Sequence, residues 1–130
     1  MSSVFSKIIK KEIPAYIVAE NENNIAFMDI FPIQKGHVLV VPKIEIDNIF
    51  DLPVESYLSL FSFSREVSIA IKKAIPCKRI GLSVIGLEVP HAHIHLVPIN
   101  SLDDMNFNKK EKIKDIEISS LSKKISENFK

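Results

Sequence analysis

Four histidines stand in the 130-residue chain, and three of them alternate within Pro90-His91-Ala92-His93-Ile94-His95-Leu96-Val97-Pro98. The flanks of this stretch, Ile85 and Val89 before it and Leu96, Val97 and Ile99 after it, are apolar and largely β-branched, which predicts a strand. Successive side chains of a strand point to opposite faces. His91, His93 and His95 should therefore share one face while Ala92, Ile94 and Leu96 fill the other. A rise of ~3.3 Å per residue starts neighbouring imidazoles ~7 Å apart and the outer pair ~13 Å apart. Three uses of such a row compete. A structural strand with solvated rings suits one histidine better than three in register. A metal site suits the residue type, but a ~13 Å spread keeps three rings from one ion whose bonds are ~2 Å long. The sequence also shows no Cys pair or His-Glu-x-x-His to complete a shell. Nucleophilic and acid–base chemistry by neutral imidazoles is the third use, and a pKa near ~6.5 is well placed for it. The pattern favours this last reading.

The elements that must hold the row follow from periodicity. Phe5, Ile8 and Ile9 sit at i, i+3, i+4, predicting a short N-terminal helix that Pro14 brings to an end. Residues 16–20 and 25–29 read as a hairpin about an Asn-rich turn, with Asp29 at the mouth of the second strand. An Asp there is, on its own, a turn residue more often than a ligand contact. Residues 36–42 form a nearly continuous apolar run, expected of a central strand buried on both faces, with His37 at its entrance. Gly36 before it suggests a positive φ or a close backbone approach.

From about 52 to 74 the period becomes helical, with Asp51 the expected N-cap. The apolar residues of that helix cover two adjacent faces, predicting one face on the sheet and another on a second subunit. Residues 77–86 read as a further strand. Beyond Asn100 the chain turns polar; Lys109-Lys110-Glu111-Lys112 is expected to be a solvated face. Ile118, Leu121, Ile125 and Phe129 predict an amphipathic tail helix capped by Asp115.

The totals fit one domain over residues 1–130, with a core in 4–99. Hydrophobic content is 46%, charged content 25% and net charge +1, which gives no argument for nucleic acid or an acidic membrane as partner. The lone Cys77 excludes an internal disulfide and fits a reducing compartment. No apolar run approaches ~18 residues and no secretory signal is evident, so the expected location is cytoplasmic.

With these residues in view, the chain resembles the histidine triad (HIT) family over roughly residues 4–99. Three ordered blocks carry the likeness: residues 5–15, residues 26–32 followed by 36–43, and His91-Ala92-His93-Ile94-His95-Leu96-Val97. The resemblance implies an α+β fold: a five-stranded antiparallel sheet, one long central helix, a short N-terminal helix and a C-terminal helical tail, paired into a homodimer. It implies hydrolysis or transfer at the α-phosphate of a nucleoside phosphoramidate, dinucleoside polyphosphate or similar purine nucleotide conjugate, with no cofactor and no metal. By family position His93 is the nucleophile, His95 contacts the phosphate and leaving group, and His91 and His37 orient and protonate that pair. Asp29 would accept the ribose hydroxyls, reversing the reading of it as a turn residue. Phe5, Ile8, Phe27, Ile30 and Leu39 would line the base pocket, with Ser83, Glu88 and Val89 also near the nucleotide.

Departures from the family pattern fall on the leaving-group side. The segment from Ser83 to His91 is shorter than in the nucleoside phosphoramidase branch, and Ser83 replaces an amide side chain. Glu88 stands where a hydroxyl is common, so it either points away from a phosphate or favours a cationic leaving group. Glu45 replaces a histidine. A nucleotide-binding scaffold with little turnover is the alternative function.

Overall fold

The computed structural model describes residues 2–129. Its centre is β3 (Val38–Pro42), whose five residues are all buried, as a continuous apolar run requires. Around it the antiparallel sheet runs β1 (Ile17–Glu20), β2 (Asn24–Met28), β3, β5 (Ile94–Ile99), β4 (Arg79–Ser83). With helices α1 (Val4–Ile9), α2 (Val54–Ala74) and α3 (Asp115–Asn128), this is the expected α+β architecture.

Alternation sorts the sheet into two layers. Ala26, Met28, Val38, Val40, Ile94 and Leu96 face α2 and join Leu60, Phe63, Val67 and Ile71 in the larger core. Ile25, Phe27, Leu39 and Val41 take the opposite face, where Phe5 and Ile8 of α1 pack on them. Fully burying each such side chain contributes ~1.5–3 kcal/mol. The register pairs Leu39 directly with His95, so His95 lies on the α1 face. Gly36 meets both expectations. Its φ is +88°, and a Cβ there would lie 2.3 Å from the Ile75 side chain.

The structure corrects several local readings. β5 begins at Ile94, so only His95 belongs to a strand; His91 and His93 lie in the bend leading into it. Asp51 does not cap α2. It ends a single 3-10 turn (Ile49–Asp51) capped by Asn48, and Pro53 occupies the N-cap of α2 without a side-chain bond. Asp115 is the first residue of α3 rather than its cap, an acid in the first turn where the helix dipole favours it. Part of the second apolar face of α2 is covered by the chain's own tail. Ile118 and Ile125 of α3 are buried in the larger core, and the Phe129 ring lies 5.7 Å from that of Phe63. Val54, Leu58 and Ile69 of α2 stay exposed, as do Leu82 on the edge strand β4 and Val84, Ile85 and Leu87 just beyond it. Among the described residues no helix is long and apolar enough to cross a membrane.

Candidate active site

Between α1 and its face of the sheet lies a cavity of about 610 Å³, lined by Phe5, Ile8, Phe27, Leu39, Val89 and others. Its polar lining comes from Asp29, Glu88, His93, His95 and Lys110. Ile30 also borders it, more than half exposed at the rim. The expected nucleotide-contacting residues therefore converge on one hollow, except Ser83. That residue pairs with His95 in the β4–β5 register but does not line the cavity. Of the four histidines, His93 and His95 face the cavity while His37 and His91 lie wholly buried behind them.

Hydrogen bonds to carbonyls fix the ring protons, because a carbonyl can only accept. His93 Nδ1 lies 2.7 Å from the main-chain oxygen of His91, so Nδ1 carries the proton and donates it. Nε2 is left with its lone pair and no protein partner among the described residues. His91 Nε2 donates to the Pro42 carbonyl at 2.8 Å, which makes its Nδ1 an acceptor. The Ser3 hydroxyl, 2.9 Å away, donates to it. Ser3 is also the N-cap of α1 and accepts from the Ser6 N–H at 3.0 Å. Glu45 closes this network, accepting from the Ser3 N–H at 2.8 Å and from the Ser6 hydroxyl. These bonds, the Ser6 hydroxyl first, hold the Glu45 carboxyl below its usual range. Glu45 thus ties α1 to the triad.

A second chain fixes the other pair. The Ile33 N–H donates to His37 Nδ1 at 3.1 Å, so the His37 proton sits on Nε2 and is donated to His95 Nδ1, 3.0 Å away. The proton of neutral His95 is therefore on Nε2, a donor on a ring that lines the cavity. Burial is the main cause that pushes His37 and His95 down to about 3 and lowers His93 as well. All three rings are neutral at ordinary pH.

Asp29 serves two ends. One carboxylate oxygen accepts from the Phe31 N–H at 2.8 Å, the turn role, and the other lies 3.5 Å from His37 Nε2 while the residue lines the cavity. Asp29, His37 and His95 bring three ligand atoms within 4.8 Å of one another, a grouping not apparent from the sequence. An ion there would displace the His37–His95 hydrogen bond and take further ligands from solvent or substrate.

Sequence reasoning missed Ser3, Ser6, Phe107 and Lys110. Ser3 carried a signal, a cap residue directly before the apolar stripe of α1. Phe107 had only its isolation between two asparagines. Its ring packs edge-on to His95 at 4.8 Å and to His37 at 6.1 Å. Residues 109–112 are all exposed, as expected of a solvated face, and Lys110 among them also borders the cavity.

The depressed histidines make stability depend on pH. Between about 6.5 and about 3 the unfolded chain binds protons that folded His37 and His95 refuse. Stability from this source is therefore present above the unfolded pKa and is lost as pH falls through that window. Urea unfolding should show a smaller loss from pH 7 to pH 5 in His95→Gln than in the wild type. Equal losses would show that burial does not hold His95 neutral.

The chain is similar to known proteins over most of its length. The model of the HIT domain matches residues 10–102. An uncharacterized HIT-like protein of Saccharolobus solfataricus is 36% identical over 107 residues, covering 77% of this chain and 76% of its own. The adenosine 5'-monophosphoramidase hnt1 of Schizosaccharomyces pombe is 33% identical over 103 residues, covering 75% of this chain and 74% of its own. Among solved structures, a HIT-like protein from Bartonella henselae superposes with a TM-score of 0.85 at 28% identity, covering 98% of this chain and 96% of that one. Triad, fold and domain match coincide, and the chain belongs to the HIT family.

Proposed function

We propose that the protein hydrolyses nucleotide conjugates at the α-phosphate through a covalent nucleotidyl-His93 intermediate. One observation carries the reading: His93 Nδ1 is held as a donor by the His91 carbonyl, which leaves a neutral Nε2 lone pair on a ring facing the cavity. The apolar walls suit a purine, and Asp29 has carboxylate capacity left for ribose hydroxyls. The naming of the fission yeast relative as a phosphoramidase supports the same chemistry.

Nε2 attacks the α-phosphorus, the N–P bond forms, and the bond to the leaving group breaks with its electron pair going to that group. The charge on the modified His93 ring is stabilised through Nδ1–H and the His91 carbonyl. His95 Nε2–H donates a hydrogen bond to a phosphoryl oxygen, a fixed donor in a partly dry site. An amine leaving group takes the proton it needs from solvent as its P–N bond breaks. Water then attacks phosphorus, its proton passes to solvent, and the electron pair of the N–P bond returns to Nε2. No step runs through a metal. His37 and His91 act behind the reacting pair by fixing tautomers.

A nucleophile contributes to the transition state far more than to the ground state. His93→Gly should therefore abolish single turnover of adenosine 5'-phosphoramidate while AMP affinity stays within a few-fold, and His95→Ala should cost about 10²-fold or more in kcat. Near wild-type kcat in His93→Gly, without added imidazole, would contradict the mechanism.

We also propose a homodimer. The edge strand β4 offers unpaired backbone groups beside exposed Leu82, and α2 keeps Leu58 and Ile69 open. Light scattering at micromolar concentration should give twice the chain mass; a strict monomer would refute the pairing.

A further inference from the structure

A nucleotide brings negative charge to a cavity whose lining has the wrong sign for it. Asp29 and Glu88 contribute carboxylates, while His93 and His95 are held neutral by burial. Among the described residues Lys110 is the one Lys or Arg that lines the cavity. It forms no ion pair there, whereas its neighbours are engaged: Lys109 with Asp103, and Lys35 with Glu117 at 2.9 Å.

The segment that carries Lys110 is anchored against the histidines. The Glu111 N–H donates to the Pro32 carbonyl at 2.7 Å, and the Phe107 ring sits edge-on to both His95 and His37. Through Phe107 this segment of the polar tail packs on the histidines, and through Lys110 it borders the cavity. The position of the charge is also defined. Lys110 lowers His37, after burial, and is the last of the causes that lower His95, while Asp29 raises both His95 and His93 and Glu88 raises His93. Phe107 packs on His95 and Lys110, three residues on, borders the same cavity, which puts the charge on the His95 side of the proposed reaction.

We propose that Lys110 is a specificity-determining residue that binds an anionic leaving group, the phosphate chain beyond the scissile phosphorus, while Phe107 shields His95. The inference rests on the nucleotide-hydrolase reading above. An ammonium on a flexible stem is a compact point charge that can follow a chain of phosphate oxygens. The cation offsets the bias toward cationic leaving groups that Glu88 would impose alone.

The test compares diadenosine triphosphate with adenosine 5'-phosphoramidate in wild type, Lys110→Ala, Lys110→Glu and Lys110→Arg. The ratio of kcat/KM for the polyphosphate over the phosphoramidate should fall about tenfold in Lys110→Ala and further in Lys110→Glu, and largely recover in Lys110→Arg. Raising ionic strength should lower that ratio in the wild type and barely move it in Lys110→Ala. An unchanged ratio, including equal losses on both substrates, overturns the proposal. If the wild type turns over neither substrate, the hydrolase reading fails and calorimetry decides the subsite separately. Lys110→Ala should then weaken ADP far more than adenosine; equal effects on the two would overturn the subsite as well.

Discussion

The site depends on the hydrogen bond from His93 Nδ1 to the main-chain oxygen of His91, 2.7 Å long and buried. A neutral imidazole has one proton, and this bond decides which nitrogen holds it. The acceptor belongs to the residue two positions earlier, so spacing matters as much as residue type. His91 is itself held at both nitrogens, by Pro42 and Ser3, and so cannot turn its carbonyl away without breaking two further bonds. Ser3 in turn caps α1, which carries Phe5 and Ile8 into the cavity wall. The apolar half of the pocket and the reactive ring thus share one hydrogen-bonded support.

Burial sets the charge state on which this support acts. Desolvation disfavours imidazolium more strongly than nearby Asp29 favours it, and His93 and His95 stay neutral. Neutrality keeps a lone pair on His93 and a defined donor on His95, but it also removes the positive charge a phosphate would otherwise meet. The tail, through Lys110, is where the described structure supplies that charge.

Much of this arrangement was legible in the sequence because it follows from period. The run at 36–42 announced the central strand, the alternation at 91–97 announced the histidine row, and the Phe5–Ile8–Ile9 stripe announced α1. What stayed hidden was non-local. Period alone cannot show that strand pairing stops at Ile94, leaving His91 free to turn its ring toward Ser3 and Pro42. Nor can it show that α3 folds back on α2 and covers part of the second apolar face that the pattern assigned to a partner chain. Asp29 looked like a choice between turn and ligand, yet a carboxylate has two oxygens and the structure gives them different tasks. Phe107 and Lys110 lie in a segment with neither period nor motif, and the Glu111–Pro32 bond and the packing of Phe107 on His95 and His37 place them at the site.

The central claim is that the free protein presents His93 as the Nδ1–H tautomer with an unprotonated Nε2. Nitrogen-15 NMR of the histidine rings, assigned with His93→Asn, measures this directly. The account predicts that at pH 7 the His93 Nε2 resonates in the unprotonated, pyridine-like range and couples to the neighbouring ring protons accordingly, while Nδ1 resonates as a protonated nitrogen. An Nε2–H tautomer, or two protonated nitrogens at that pH, would contradict it.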